Sequence, residues 1–183
     1  MGRWAPGSQY RLAAAALDLY LEQGYDDTTV ADIAARAGVT ERTFYRYFGD
    51  KREVLFSGST ALQDAFVTAI AAAPDADSAF AAAARGARAV AGLLDDLEYS
   101  RRRGRAIAAN DSLRERELLK MATLEDAGAA ALRARGVPEL AAATIADAAV
   151  GAFGRGFEVW LERGGELGEH VDAALGVLAP LAD

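Results

Sequence analysis

The chain has 183 residues, of which 52% are apolar, enough to bury a sizeable core without covalent staples. It has no cysteine, which excludes disulfides and thiolate metal sites, and a single histidine, His170, which argues against a histidine metal cluster or relay. The net charge of −7 argues at first against a nucleic-acid partner. The charge is unevenly spread, however. Residues 36–52 hold Arg36, Arg42, Arg46, Lys51 and Arg52 against only Glu41 and Asp50, so this short window is basic within an acidic chain. Met1 to Ser8 has no apolar h-region, and no run approaches the roughly 18 uninterrupted apolar residues of a membrane span. These features predict a soluble, cytoplasmic protein with no membrane partner, no metal and no cofactor.

The predicted elements are all helical, because alanine is abundant and no stretch alternates β-branched with polar residues. Ser8 is read as the cap of a first helix ending near Gln23, with Leu12, Ala16, Leu19 and Tyr20 as its apolar stripe and Gly24 as its stop. Thr29 caps a second helix, about Val30 to Ala37, and Gly38 ends it. Thr40 caps a short third helix, Glu41 to Phe48. A long fourth helix is expected from Asp50 to Ala73, stopped by Pro74. Five more follow, approximately over 77–97, 99–109, 112–135, 139–163 and 167–181. The domain boundary is placed inside the fourth helix near Phe56, giving an N-terminal domain of residues 1–55 and a C-terminal domain of 56–183.

Val30 to Phe48 has the pattern of a helix-turn-helix. Two short helices that cross closely need a small residue at the contact, here Ala34, and a left-handed residue in the turn, here Gly38. Ile33, Ala37, Val39, Phe44 and Phe48 form the apolar side, expected to pack on Leu12, Ala16 and Leu19. The other face of the second short helix carries Arg42, Thr43, Tyr45, Arg46 and Tyr47. A helix of this size fits the major groove, where Arg42 can donate two hydrogen bonds to guanine and Thr43 and Tyr45 can meet base edges. Thr29 and Thr40, at helix starts, suit phosphate, and Tyr47 and Lys51 would hold the flanking backbone.

The run from Gly24 to Lys51, with its Gly-Tyr pair, its Ala-Gly-Val turn, its Thr-Phe-Tyr-Arg-Tyr-Phe helix and the following lysine, closely resembles the DNA-binding domain of TetR-family repressors over about residues 8–56. The resemblance implies a three-helix DNA-binding domain followed by a helical ligand-binding and dimerisation domain. It implies that Thr29, Thr43, Tyr45, Tyr47 and Lys51 contact DNA, largely through phosphate, while Glu41, Arg42 and Arg46 vary with the operator. It further implies a homodimer on a palindromic operator, released by a small-molecule effector. Two recognition helices would then read half-sites about 34 Å apart, or a multiple of that.

For the dimer, the last two helices offer stripes at helical spacing that include Ala149 and Trp160 on one and Val171, Leu175, Leu178 and Leu181 on the other. Ala142, Ala146 and Gly156 would permit close approach. The same stripes also fit an intramolecular core. For the effector, the candidate walls are Phe66, Phe80, Leu93, Leu97, Ile107, Leu124, Phe153 and Phe157, for each of which plain core packing is the simpler reading. Arg101, Arg102, Arg103 and Arg105 are either a solvated face or an anion site. The later half is similar, more loosely, to C-terminal domains of the mycofactocin-regulator group, which implies an acyl-CoA-like effector held partly by Arg101 and Arg103.

An enzyme is disfavoured. The glycines at 151, 154 and 156 lack the preceding strand of a nucleotide fingerprint, and Asp95, Asp96 and Glu98 are too close in sequence to form an opposed catalytic pair. A helical adaptor without DNA affinity is disfavoured by the basic window at 36–52.

Overall fold

The computed structural model describes residues 7–181, and among these residues all regular structure is helical. Nine α-helices follow in order: α1 (Ser8–Glu22), α2 (Val30–Arg36), α3 (Glu41–Tyr47), α4 (Ser59–Ala71), α5 (Ala79–Ala91), α6 (Leu97–Ala108), α7 (Asp111–Ala134), α8 (Glu139–Arg163) and α9 (Leu167–Leu178). The expected all-α class holds, with three departures in detail. Ser8 is the first residue of α1 rather than its cap, which is Gly7 with no side-chain bond. The long fourth helix is split: Arg52–Phe56 is a 3-10 turn, and α4 starts at Ser59. The helix expected over 77–97 stops at Ala91, and Gly92 follows as its C-cap.

The helical run Arg52–Ala71 is long and apolar enough in composition to cross a membrane. Its apolar side chains are taken up within the protein: Val54, Leu55 and Phe56 lie in one core, Phe66 and Ile70 in another.

The chain divides into two compact units, and the division does not follow the contiguous boundary expected at residue 55. The first unit runs to Ser59 and also takes in Glu98–Leu118, so α6 and the start of α7 belong with α1–α3. Its core is built from the expected stripe of α1 together with Ile33, Ala37, Phe44 and Phe48, and it is completed by Val54, Leu55, Phe56, Ile107 and Leu113. Polar contacts reinforce this union: Arg102 on α6 pairs with Asp18 on α1, and Asn110, which caps α7, donates to the Asp26 carboxylate at 3.3 Å.

The second unit comprises residues 60–97 and the chain from Leu119 onward. Its alanine-rich helices α5, α8 and α9 pack together around Val90, Val150, Phe153, Trp160, Val171 and Leu175. Gly156 is required where α8 meets α9: a Cβ there would lie 2.7 Å from the backbone N and Cα of Val171. The Phe66 ring of α4 fills a slot between Gly86 of α5 and Gly128 of α7. Arg135 ties off the end of α4 by donating to the carbonyls of Ala73 at 2.7 Å and Pro74 at 2.9 Å.

Candidate nucleic-acid interface

Local sequence dictates the geometry of α2 and α3. Thr29 and Asp32 form a reciprocal capping box: the Asp32 N–H donates to the Thr29 hydroxyl oxygen at 3.1 Å, and the Thr29 N–H donates to the Asp32 carboxylate at 2.9 Å. The Thr29 hydroxyl also donates to that carboxylate at 2.6 Å, and these bonds hold the Asp32 carboxyl below its ordinary pKa. Thr40 caps α3 by accepting from the Thr43 N–H at 3.2 Å. Between the helices Gly38 adopts φ +66°, and Val39 donates its N–H to the Ala34 carbonyl at 2.9 Å. Phe44 and Phe48 are buried, which turns Arg42, Tyr45, Arg46 and Tyr47 to the surface, with Thr43 half-buried beside them. Tyr45 is 57% exposed, although its edge rests on Phe44. Arg46 lies over the Tyr47 ring at 4.8 Å and donates to its hydroxyl at 3.0 Å.

The basic window is smaller in space than in sequence. Arg36 forms a two-bond pair with Glu22 of α1, which holds the Glu22 carboxyl below its usual range. Arg52 pairs with Asp50. Arg42 and Arg46 have no acidic partner among the described residues.

Lys51, expected at a phosphate, makes contacts within its own unit. Its Nζ donates to the backbone carbonyls of Tyr25 at 2.7 Å, Thr28 at 2.8 Å and Asp26 at 3.3 Å, and it sits 4.3 Å from the centre of the Tyr25 ring. Its own carbonyl accepts from the hydroxyl of Tyr20, whose burial pushes that hydroxyl's pKa far up. Tyr20 was expected only in the apolar stripe of α1 and Tyr25 only in the Gly-Tyr pair, and Thr28 was not singled out. Thr28 is fully buried and donates to the Gly24 carbonyl at 2.7 Å. The Gly-Tyr pair and the lysine flanked the motif in sequence, but nothing in their 26-residue separation showed that they meet.

A second unpredicted cluster holds the exit from α3. Asp50 accepts from the N–H groups of Arg52 and Glu53 and starts the 3-10 turn. Arg116 grips Glu53 through two bonds at 2.7 and 2.9 Å, which raises the Arg116 pKa. Arg103 donates to the Leu55 carbonyl at 2.9 Å and pairs with Glu117 at 2.6 Å. The Phe56 ring lies between these two guanidinium groups, 5.0 Å from one and 4.9 Å from the other.

The capped helix-turn-helix with its outward aromatic and arginine face has known counterparts. The bacterial regulatory proteins of the tetR family match residues 12–57. The helix-turn-helix segment is thus similar to the tetR family. The regulator TcmR of Streptomyces glaucescens is 39% identical over 88 residues, which cover 48% of this chain and 39% of TcmR. The chain thus matches well under two-thirds of the length of that curated relative. Among solved structures, one from Syntrophomonas wolfei assigned to the TetR family of transcriptional regulators shares the fold with a TM-score of 0.66 at 17% identity, over 96% of this chain and 94% of that one. The SmeT–triclosan complex shares it with a TM-score of 0.63 at 19% identity, over 94% of this chain and 90% of that one. TetR-family proteins are DNA-binding transcriptional regulators with a helix-turn-helix, not enzymes.

Outside the tetR-type helix-turn-helix, the eight candidate ligand residues are divided between the two units. Arg101, Arg103 and Ile107 fall in the first unit, whereas Phe66, Leu97, Leu124, Phe153 and Phe157 fall in the second. Arg103 pairs with Glu117 and the Leu55 carbonyl, Arg102 pairs with Asp18, and Ile107 lies in the core around α1. The expected dimer stripe is mostly interior. Ala149, Trp160, Val171 and Leu175 are buried within the single chain and Leu178 is half-buried, because the stripes of α8 and α9 face each other and α5. Ala142, Ala146 and Gly156 are likewise interior. The side chain of Leu181 lies outside the described residues.

Proposed function

We propose that the chain is a cytoplasmic, ligand-responsive repressor that binds a palindromic operator as a homodimer. The observation that carries this reading is the outward face of α3. Thr40, Arg42, Thr43, Tyr45, Arg46 and Tyr47 are displayed on a helix anchored by buried Phe44 and Phe48. Arg42 and Arg46 supply the guanidinium groups for guanine edges, and Tyr45, Tyr47 and the threonines supply hydroxyls for bases and backbone. Thr29 joins them from the start of α2. Because the apolar stripes of α8 and α9 are used internally, the self-association surface is their other side. There Gly151 and Arg155 of α8 and Ala173, Gly176 and Val177 of α9 are exposed. The effector is assigned to the second unit as a small apolar molecule, supported by Phe66, Leu97, Leu124, Phe153 and Phe157 and by the fold shared with a triclosan-bound protein.

The test is selection of duplexes from a random pool by the full chain, followed by titration of the winner with wild type, Arg42→Ala and Tyr47→Ala. A two-half-site consensus is expected, with affinity losses of about 1–3 kcal/mol for Arg42→Ala at one base position. An unenriched pool, or wild-type binding by both variants, would overturn the assignment.

A further inference from the structure

We infer that Glu41 is a specificity-determining residue that demands a cytosine in the operator, beside the guanine taken by Arg42. This rests on the DNA-binding role proposed for α3. Glu41 is the first residue of α3 and its one acid. It is exposed, as is Arg42 next to it, and no cation among the described residues pairs with it. The Thr40 side chain caps the helix at the Thr43 N–H, which fixes where α3 begins, and buried Phe44 holds that first turn to the core of its unit. A recognition helix brings its N-terminal residues to the base edges. Helical side chains lean towards the N-terminus, so Glu41 reaches forward past the start of α3.

A carboxylate among phosphates is repelled unless a donor meets it, and it has acceptors only. In the major groove guanine shows two acceptors, and thymine shows an acceptor and a methyl group. Adenine sets the N7 acceptor beside its amino group. Cytosine alone has a donor and no acceptor on its own edge. A guanidinium has the opposite character, with donors only, and guanine is the base with two acceptors and no donor. Glu41 and Arg42 therefore present an acceptor and a donor side by side, the complement of a cytosine edge and a guanine edge in one pair or in successive pairs. An acid in the first turn also suits the helix N-terminus, but that role involves no base, so experiment separates the two.

Duplexes are selected from a random pool by the full chain as wild type, Glu41→Gln and Glu41→Ala. Wild type is expected to fix one cytosine in each half-site and to prefer it about tenfold or more over other bases there. Glu41→Gln should move that position to adenine, whose N6 and N7 suit an amide, and Glu41→Ala should leave it random. If Glu41 served only the helix end, Glu41→Ala would change affinity for all duplexes by one factor and keep the consensus. That result, or a cytosine retained by Glu41→Gln, would overturn the inference.

A measurement on the unaltered protein covers the case of variants that fail to fold. N4-methylcytosine at the selected position keeps the base pair but puts a methyl group where the carboxylate would accept. Wild type should lose about tenfold in affinity, and Glu41→Ala should lose nothing. Undiminished binding by wild type would overturn the inference without recourse to any variant. Failure of wild type to enrich any duplex would strike the DNA-binding role itself, and is read separately from these outcomes.

Discussion

Phe66 is wedged so tightly that the sign of a glycine substitution should depend on whether the ring is present. Its ring is 1% exposed. A Cβ at Gly86 would lie 2.5 Å from Cδ2 and 2.7 Å from Cε2, and a Cβ at Gly128 would fall closer still to Cε1 on the opposite edge. Carbon atoms prefer a separation of about 3.5–4.0 Å, so either methyl demands a retreat of about 1 Å. Retreat from one glycine drives the ring into the other. Overpacking of this kind costs about 1–3 kcal/mol. Replacing a helical glycine by alanine returns about 1 kcal/mol through backbone propensity. Gly86→Ala and Gly128→Ala should therefore each destabilise by up to about 2 kcal/mol, and the pair by more than the sum. Phe66→Ala alone should cost about 3–5 kcal/mol through the cavity it leaves. In that background the obstacle is gone, and Gly128→Ala should become stabilising by up to about 1 kcal/mol. Urea unfolding at one fixed protein concentration reads all of these from midpoint and slope. Equal destabilisation by Gly128→Ala with and without the ring would refute the reasoning, because the clash would then lie elsewhere.

Two further outcomes follow from charge placement. Burial, with Asp147 and Asp126 nearby, raises the Glu125 pKa above its ordinary 4.5. A carboxyl whose folded pKa is raised opposes folding once ionised and has no effect where both states are protonated. Glu125→Gln should raise the thermal midpoint at neutral pH, with the gain fading as pH falls towards 4.5; a gain that is independent of pH would contradict this. Arg103→Met leaves the Leu55 carbonyl and the Glu117 carboxylate without their donor in a partly buried place, with the Arg103 side chain only 15% exposed. The expected cost is about 1–3 kcal/mol, or a fall of roughly 2–10 °C by calorimetry, and an unchanged midpoint would show that the cluster around Phe56 contributes nothing.

The helix-turn-helix was legible because its determinants are local. Thr29 and Thr40 sit at caps, Gly38 supplies the positive φ, and Phe44 and Phe48 repeat at helical spacing, so each acts on residues within one or two turns. What was illegible depends on partners distant in sequence. The apolar stripes of α8 and α9 announced that something would cover them, but periodicity does not say whether the cover is the same chain or another copy; α5 and the helices themselves supplied it. The arginines of α6 formed a run in sequence, and only the fold shows Arg102 and Arg103 turned to Asp18 and Glu117. The union of α6 and the start of α7 with α1–α3 rests on pairs such as Arg102 with Asp18, 84 residues apart, and Arg116 with Glu53, 63 residues apart. Lys51 was found by its place in the motif, but its contacts with the turn before α2 were not, because its acceptors are backbone carbonyls, which have no signature in a sequence.

The slot that holds Phe66 also orders the routes by which the protein can change. While the ring is present, alanine at position 86 or 128 is harmful, and while both glycines are present, shrinking the ring opens a hole. A lineage moving to a smaller side chain at 66 must tolerate the hole first. Once either glycine has then become alanine and filled part of it, the large ring cannot return without a clash. Drift at these three positions is therefore directional. A descendant that has crossed over would carry a second unit with the same helices but a different set of permitted residues, and grafting one position alone between the two forms would fail in both directions.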